Sequence, residues 1–308
     1  MNVKISFIGV GRVGSTTAFS VLQHELADEI VLIDANTDLA NGESLDLLHS
    51  TPFSKRTNIY SSDYKSLDGS SIVVVSAGVS QKPGETRLDL LNRNSIIMNE
   101  IANKISSYAP NSIVLMLTNP VDILSYVVWE KSGFPSERII GSGTVLDTAR
   151  LRSLISQHCG ISPSSIHVYV IGEHGDSELA IWSSAMIGGV PLNDFCQSCP
   201  MFSKNCSLSL KELFEETRNS AYEIISKKGY TNYAIAASAT AIIESIIRDE
   251  KRVLTVSILH NDIYISYPCV VGEKGVERIV DIKINEEEYE QFKKSVSILK
   301  DWIEKLHL

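Results

Sequence analysis

The stretch KISFIGVGRVG at residues 4–14 decides the fold of the first half of the chain. Its apolar run predicts a buried strand, and Gly9, Gly11 and Gly14 predict a tight turn that opens directly into a helix. Glycines at this spacing let a pyrophosphate approach the backbone amides at a helix N-terminus. The segment therefore indicates a phosphate-binding turn.

An acidic residue follows this turn at an informative distance. Asp34 comes 20 residues after Gly14, at the end of a second apolar run at residues 30–33. A carboxylate there can accept hydrogen bonds from both ribose hydroxyls of a dinucleotide and repel a 2′-phosphate. The two features together predict NAD rather than NADP as the cofactor. The alternative is a set of turn glycines with an unrelated surface aspartate.

Short β-branched runs recur along the first 120 residues, and each is apolar throughout rather than alternating. They occupy residues 4–10, 30–34, 72–76 and 113–117. Strands buried on both faces have this pattern, which predicts a parallel sheet with helices on each side. We therefore expect an α/β doubly wound (Rossmann) domain over residues 1–141.

The pattern changes in the second half, where we expect a mixed α+β domain over residues 142–308. A long helical tract at residues 210–248 breaks at Gly229, and a β-rich segment at residues 253–285 precedes a final helix that Asn285 could cap. The helix after Gly229 could pack back on the first domain, which would soften the boundary.

Composition limits the functional classes. The 308 residues are 44% hydrophobic and 21% charged, with a formal net charge of −9, which argues against nucleic acid or an anionic membrane as a partner. No apolar run reaches the roughly 20 residues that cross a bilayer. We expect a soluble, cytoplasmic protein of two domains whose five cysteines are reduced.

Two polar segments could carry chemistry. His174 lies in the glycine-flanked segment GEHGD at residues 172–176, directly after an apolar run. Asp147 and Arg150 are spaced i and i+3, so they share one face of a helix. One interpretation is an exposed helical ion pair beside a structural histidine. The other is an aspartate that orients a catalytic imidazole and an arginine that grips a carboxylate.

These residues resemble the NAD-dependent L-lactate and malate dehydrogenases, and the resemblance covers nearly the whole chain. Besides the glycine turn it rests on four further motifs, which occur in the family's order: AGVSQKPGETR (77–87), TNPVD (118–122), LDTAR (146–150) and GEHGD (172–176).

The resemblance implies a role for each polar residue in reducing a 2-oxo acid. His174 would be the proton donor, and Asp147 would raise its basicity and fix its tautomer. Arg150 would bind the substrate carboxylate, Arg87 would polarise the carbonyl, and Asn119 would contact the carbonyl side of the substrate and the nicotinamide. The expected cofactor contacts are Gly9, Gly11, Val13, Gly14, Asp34, Tyr64, Gly78, Val79, Asn119 and Ser142.

Two positions favour lactate over malate within this family. Malate dehydrogenases generally have an arginine where this chain has Gln81, and Thr231 also matches the lactate branch. A neutral amide gives a second substrate carboxylate no counter-charge. L-lactate and pyruvate are therefore the expected substrates, with malate or another 2-hydroxy acid as the alternative. A non-catalytic NAD-binding protein is the alternative of another class.

A regulatory site is also implied. Arg152 lies about 200° around an ideal helix from Arg150, and together with His167 it is similar to the positions with which bacterial lactate dehydrogenases bind fructose 1,6-bisphosphate between subunits. We expect a homotetramer activated by this effector. The alternative is an unregulated ion pair at an interface.

Two further features carry less weight. Cys196 and Cys199, with Cys159 and Cys206, lack a second complete pair at metal-ligand spacing, so no metal is expected. The connection at residues 259–263 is several residues shorter than is usual in the family, which puts in doubt any subunit contact that it makes.

Overall fold

The strand β1 (Lys4–Ile8) lies inside a nine-stranded sheet in which six strands are parallel, in the order β3-β2-β1-β4-β5-β6. The computed structural model describes residues 2–79, 84–198 and 210–306. This strand order is that of a doubly wound fold, so the predicted fold class is confirmed. The other parallel strands are β2 (Glu29–Ile33), β3 (Asn58–Ser61), β4 (Ile72–Val75), β5 (Ile113–Met116) and β6 (Ile139–Gly141).

Burial on both faces explains the unbroken apolar runs. All four residues of β4 are fully buried, but Val73 and Val75 belong to one hydrophobic cluster while Ile72 and Val74 belong to another. Because successive side chains of a strand point to opposite faces, a central strand covered on both sides needs apolar residues at every position.

The same sheet continues into the second half of the chain. Ser257 of β10 (Arg252–His260) pairs antiparallel with Gly141 of β6, and β11 (Ile263–Gly272) and β12 (Gly275–Ile279) follow as antiparallel neighbours. A separate antiparallel sheet contains β7 (Ile166–Ile171), β8 (Leu179–Ile187) and β9 (Val190–Pro191). The division of the chain at residue 141 stays a prediction, since one sheet runs across it.

The short connection at residues 259–263 is a two-residue hairpin turn. Asn261 and Asp262 both have positive φ, at 49° and 65°, and they join β10 to β11 directly. Two left-handed residues match the twist of the flanking strands, and Asn and Asp tolerate that conformation better than most residues.

Helices cover both faces of the large sheet and pack on the small one. Within the described residues none is long and apolar enough to span a membrane. They are α1 (Arg12–Gln23), α2 (Thr37–Ser50), α3 (Arg87–Tyr108), α4 (Val121–Ser132), α5 (Val145–Cys159), α6 (Leu192–Ser198), α7 (Leu210–Lys228), α8 (Tyr233–Ile247) and α9 (Glu286–Glu304).

The helical tract breaks at Gly229, where φ is 86°, and α8 then packs against α1. The Thr240 hydroxyl on α8 donates to the Ser20 hydroxyl on α1 at 2.8 Å, and the Asn232 amide donates to the Thr16 hydroxyl at 3.0 Å. Residues late in the sequence therefore cover the helix that follows the glycine turn.

The last helix begins as expected but does more than complete the fold. Asn285 accepts a hydrogen bond from the Glu288 amide at 2.8 Å, which confirms the predicted cap. Glu288 itself is only 5% exposed, and its carboxylate accepts hydrogen bonds from the backbone amides of Trp182 and Ser183 at 2.8 and 2.9 Å. Of the three glutamates in the first turn of α9, Glu286, Glu287 and Glu288, the last is therefore buried and joins α9 to β8.

We expect Glu288→Ala to lower the free energy of unfolding by about 3 kcal/mol, because it leaves buried amide donors unpaired. Glu286→Ala, at an exposed position two residues earlier on α9, is the matched control and should change stability little. Urea unfolding of both variants measures this, and equal midpoints would contradict the buried role of Glu288.

Candidate active site

The glycine turn brings three parts of the first domain into close contact. A Cβ at Gly9, where φ is 88°, would lie 2.4 Å from the Ala77 nitrogen, and one at Gly14 would lie 2.1 Å from the Gly9 carbonyl oxygen. A Cβ at Gly11 would meet no atom within 4 Å. Gly9 and Gly14 are therefore required by packing, whereas Gly11 faces open space.

That open space lies at the N-terminus of α1, where an anion would fit. Gly11 is the N-cap residue and provides no side-chain cap, so the first amides of α1 have no side-chain partner there. Such amides and the helix dipole favour a negatively charged group. Val13 lies in this first turn and packs partly buried against the hydrophobic cluster on that face of the sheet.

Asp34 stands beside the turn, as the sequence predicts. Its carboxylate accepts hydrogen bonds from the backbone amides of Val10 and Asn36, both at 2.8 Å, which fix it at the end of β2. Each oxygen keeps a second lone pair for a ribose hydroxyl. Burial raises the pKa of the nearby Tyr64, with smaller contributions from the carboxylates of Glu100 and Asp34.

The remaining predicted cofactor residues lie where β4, β5 and β6 end. Gly78 follows β4, and a Cβ there would come 2.7 Å from the Thr118 methyl group. The Val79 amide donates to the Asn94 side chain at 2.9 Å. Asn119 follows β5, and Ser142 follows β6 in a buried position. Ligands of doubly wound folds bind at this carboxyl edge of the sheet.

A buried carboxylate joins the two polar segments of the second half. The Asp147 oxygens pair with His174 Nδ1 and with Arg150 Nη1, each at 2.8 Å. The side chains of Asp147 and Arg150 are 4% and 14% exposed, so this ion pair is buried, not a solvated helical pair. The pairing of Nδ1 leaves Nε2 of His174 as the nitrogen directed away from Asp147.

The surrounding charges set the proton affinity of His174. Burial alone would lower its pKa, but the charge and hydrogen bond of Asp147, with Glu178 and Asp122, raise it to about 9. Burial would raise the pKa of Asp147, yet His174 and Arg150 hold it below its usual range. The imidazole is therefore protonated at neutral pH and the carboxylate ionised.

Glu178 is a member of this cluster that the sequence analysis missed. It is 6% exposed, and burial together with the charge of Asp147 raises its pKa to about 9. Its position four residues after His174 was the available signal, but nothing in the sequence shows that the intervening loop folds back.

In the described part of the chain, one group of side chains could together hold a metal ion: Asp147, His174 and Glu178. Ligand atoms of Asp147, His174 and Glu178 lie within 4.8 Å of one another. Arg150 opposes a cation there, because it already neutralises Asp147. Of the discounted cysteines, Cys159 and Cys196 pack on the cluster between α5 and β8, and Cys199 and Cys206 lie outside the described residues.

Arg87 lies at the first position of α3 and is loosely held. Its side chain is 71% exposed, and Nη1 is 3.5 Å from an oxygen of Asp176 in the His174 loop. It lines a cleft of about 520 Å³ together with Asp176, Glu178, Arg218 and Lys294. Gln81, six residues earlier, lies outside the described residues.

Thr231, Arg152 and His167 are the remaining predicted residues. Thr231 is half-buried in the break between α7 and α8. The Arg152 guanidinium donates two hydrogen bonds to the Val168 carbonyl oxygen, at 3.2 and 3.1 Å, and His167 is exposed at the adjacent position of β7. Arg152 and His167 therefore lie on the neighbouring elements α5 and β7.

We expect Asp147→Asn to lower the pKa of His174 from about 9, because the opposing charge is lost while the burial remains. An NMR titration of the histidine ring signals, with His174→Gln used to assign the His174 resonance, measures the shift. An unchanged pKa would show that Asp147 does not control this imidazole.

Comparisons with known proteins show the family of the chain. The lactate/malate dehydrogenase NAD binding domain matches residues 3–141, and the alpha/beta C-terminal domain of that family matches residues 144–307. An L-lactate dehydrogenase of Pseudothermotoga lettingae is 50% identical over 98% of this chain and 96% of its own length. An L-lactate dehydrogenase of Clostridium perfringens is 48% identical over 97% of this chain and 96% of its own length.

Solved structures are similar over the same length. A lactate dehydrogenase from a Medee basin deep-sea metagenome library has a TM-score of 0.94 at 39% identity, covering 99% of this chain and 98% of its own. The minor L-lactate dehydrogenase of Enterococcus mundtii, in a ligand-bound form, has a TM-score of 0.95 at 37% identity, covering 100% and 99%. The chain belongs to the lactate/malate dehydrogenase family of NAD-dependent oxidoreductases.

Proposed function

We propose that this protein is an L-lactate dehydrogenase that interconverts pyruvate and L-lactate. The observation that carries the proposal is the buried chain of contacts from Arg150 through Asp147 to His174. Through this one carboxylate on α5, an arginine that can bind a substrate carboxylate is joined to an imidazole that can donate a proton. The names of the relatives at about half identity support the same substrate pair.

Reduction of a 2-oxo acid needs a hydride at the carbonyl carbon and a proton at its oxygen. NADH supplies the hydride when bound. His174 supplies the proton from Nε2, and a pKa of about 9 keeps it charged at neutral pH. Asp147 holds the other ring nitrogen at 2.8 Å and stabilises the imidazolium. Lactate oxidation requires the neutral ring, so it should be favoured at higher pH.

The two arginines divide the remaining work. Nη1 of Arg150 donates a hydrogen bond to Asp147, and the remaining N–H groups of the guanidinium can bind a substrate carboxylate through two parallel hydrogen bonds. The Arg87 side chain lines the cleft, is mostly exposed and contacts Asp176 at 3.5 Å, and we propose that it turns over the bound substrate. There it would stabilise the charge that develops on the carbonyl oxygen. Asn119, at the carboxyl edge of the sheet after β5, would contact the substrate carbonyl and the nicotinamide.

We expect Arg87→Gln to lower kcat by about 100-fold or more, because it removes stabilisation needed in the transition state. Arg150→Lys should instead raise KM for pyruvate by about 100-fold, since a lysine cannot reproduce the planar fork. Steady-state kinetics of both variants measure the split. Equal effects of the two substitutions on both parameters would contradict these assignments.

Gln81 and Thr231 support pyruvate over a dicarboxylate. A neutral amide leaves a second carboxylate without a counter-charge, and an unpaired buried charge costs several kcal/mol in principle. Malate or another 2-hydroxy acid is the enzymatic alternative. A non-catalytic NAD-binding protein is disfavoured, because nothing but catalysis requires the buried charges of Asp147, Arg150 and His174 together.

One assay tests the substrate. NADH absorbance is followed with pyruvate and then with oxaloacetate, for the wild type and for Gln81→Arg. We expect pyruvate to be preferred by the wild type and the variant to move toward oxaloacetate, because arginine pairs with the second carboxylate. A wild-type preference for oxaloacetate would favour the malate alternative, and no turnover with either acid would favour the non-catalytic one.

We further propose activation by fructose 1,6-bisphosphate at Arg152 and His167 in a cytoplasmic homotetramer. Arg152 lies on α5 with Asp147 and Arg150, so a ligand that moves Arg152 acts on the helix that carries the catalytic pair. The effector arm of the same assay adds the bisphosphate. Sigmoidal pyruvate curves that become hyperbolic would support activation, and identical curves for the wild type and Arg152→Ala would remove it.

A further inference from the structure

Asp122 is a buried carboxylate whose contacts none of the assigned roles uses. It lies in the first turn of α4 and is 2% exposed. Its Oδ2 accepts a hydrogen bond from the backbone amide of His174 at 2.7 Å, and its Oδ1 accepts one from the Ser257 hydroxyl on β10 at 2.5 Å. Asp122 therefore joins α4, β10 and the histidine loop at a single point.

The backbone of the histidine loop is held residue by residue. Gly172 exchanges two backbone hydrogen bonds with Ser266 of β11, both at 3.0 Å. The Glu173 amide donates to the Ser295 hydroxyl of α9 at 2.7 Å, and the His174 amide donates to Asp122. The partners of Gly172 and Glu173 both belong to the C-terminal half, whereas Asp122 belongs to the NAD-binding half. Its bond therefore ties the histidine to the half that holds the cofactor.

Asp122 is close in sequence to Asn119, a predicted contact of the nicotinamide. Asp122 comes three residues after Asn119, which stands at the end of β5 where the nicotinamide is expected. Only Pro120 and Val121, at the start of α4, thus separate the expected carbonyl-side contact from the carboxylate that binds the His174 amide. Hydride and proton reach neighbouring atoms of the substrate, so their donors must keep a fixed separation.

We infer that Asp122, supported by Ser257, is a positioning residue that sets the location of His174 relative to the cofactor half of the active site. This inference rests on the proposed dehydrogenase function. Asp122 acts through the backbone of His174 and not by touching the substrate.

The energetics favour an ionised side chain in this role. Burial, with a smaller contribution from the charge of Glu173, raises the pKa of Asp122 to about 6. The hydrogen bonds from Ser257 and the His174 amide, and the charge of His174, keep the pKa from rising further. At neutral pH both oxygens therefore accept. A charged acceptor makes stronger hydrogen bonds than a neutral one, which suits a bond that must hold a loop still.

Three substitutions distinguish the positioning effect of Asp122 on His174 from the effect of its charge and from a general loss of stability. Asp122→Asn keeps an oxygen for the His174 amide, and its NH₂ can donate to the Ser257 hydroxyl. Asp122→Ala removes both bonds, and Ser257→Ala removes only the support. Ser125→Ala is the matched control, because Ser125 lies one turn later on α4, is fully buried and has a hydroxyl without a hydrogen-bond partner.

We expect Asp122→Ala to lower kcat by about 100-fold, the size of effect that a misplacement of about 1 Å can have. The Kd for NADH should change less than about twofold, because Asp122 bonds the His174 amide and the Ser257 hydroxyl and neither is a predicted cofactor contact. Asp122→Asn and Ser125→Ala should keep kcat within a few-fold of the wild type. Ser257→Ala should fall between them. NADH deuterated at the transferred position should show a larger isotope effect on kcat in Asp122→Ala, because hydride transfer becomes limiting.

Hydrogen exchange gives a readout that does not depend on turnover. Mass spectrometry of a peptide covering residues 172–178 should show faster exchange in Asp122→Ala and wild-type exchange in Asp122→Asn. Wild-type kcat in Asp122→Ala, or equal losses in Asp122→Asn and Asp122→Ala, would overturn the inference. If Asp122→Ala does not fold, an unchanged kcat and unchanged exchange in Ser257→Ala would overturn it. Absence of wild-type turnover with any 2-oxo acid would instead overturn the proposed function. The exchange data would still show whether Asp122 holds the backbone of the histidine loop.

Discussion

The structure depends on one buried carboxylate, Asp147, which is shared between an imidazole and a guanidinium. An unpaired charge at this depth would be costly, and both of its partners are cations that supply the missing solvation. Asp147 also raises the pKa of the imidazole and, through its other oxygen, holds the Arg150 guanidinium in place. Stability of the centre and its chemistry therefore have one physical source.

The fold brings the parts of this centre together by extending a single sheet. The parallel strands of the first half end at the edge where Asn119 and Ser142 lie, and β10 continues the sheet across the pair formed by Gly141 and Ser257. Asp122 then connects this edge to the histidine loop. One sheet thus connects the half that matches the NAD binding domain to the half that carries His174, the proposed proton donor.

Much of this could be predicted from sequence because it rests on local patterns. The apolar runs of β1 and β4 required burial on both faces, and the spacing of Asp147 and Arg150 required a shared helix face. Glu178, Asp122 and Glu288 could not be assigned in the same way. Neither the residue types next to these three acids nor their spacing identifies a partner for them, and only the distant chain segments packed around each one show that it is buried.

The sequence by itself determined the doubly wound fold, the glycine turn with Asp34 and the family's ordered motifs, since these depend on residue type and short-range spacing. The tertiary structure alone decided which carboxylates surround His174, where Arg152 turns its guanidinium, and that Glu288 and Asp122 tie distant elements together. Burial and hydrogen bonding across a hundred residues or more depend on how the elements pack, as in the bond from Asp122 to Ser257. No pattern within a short window of sequence contains that information.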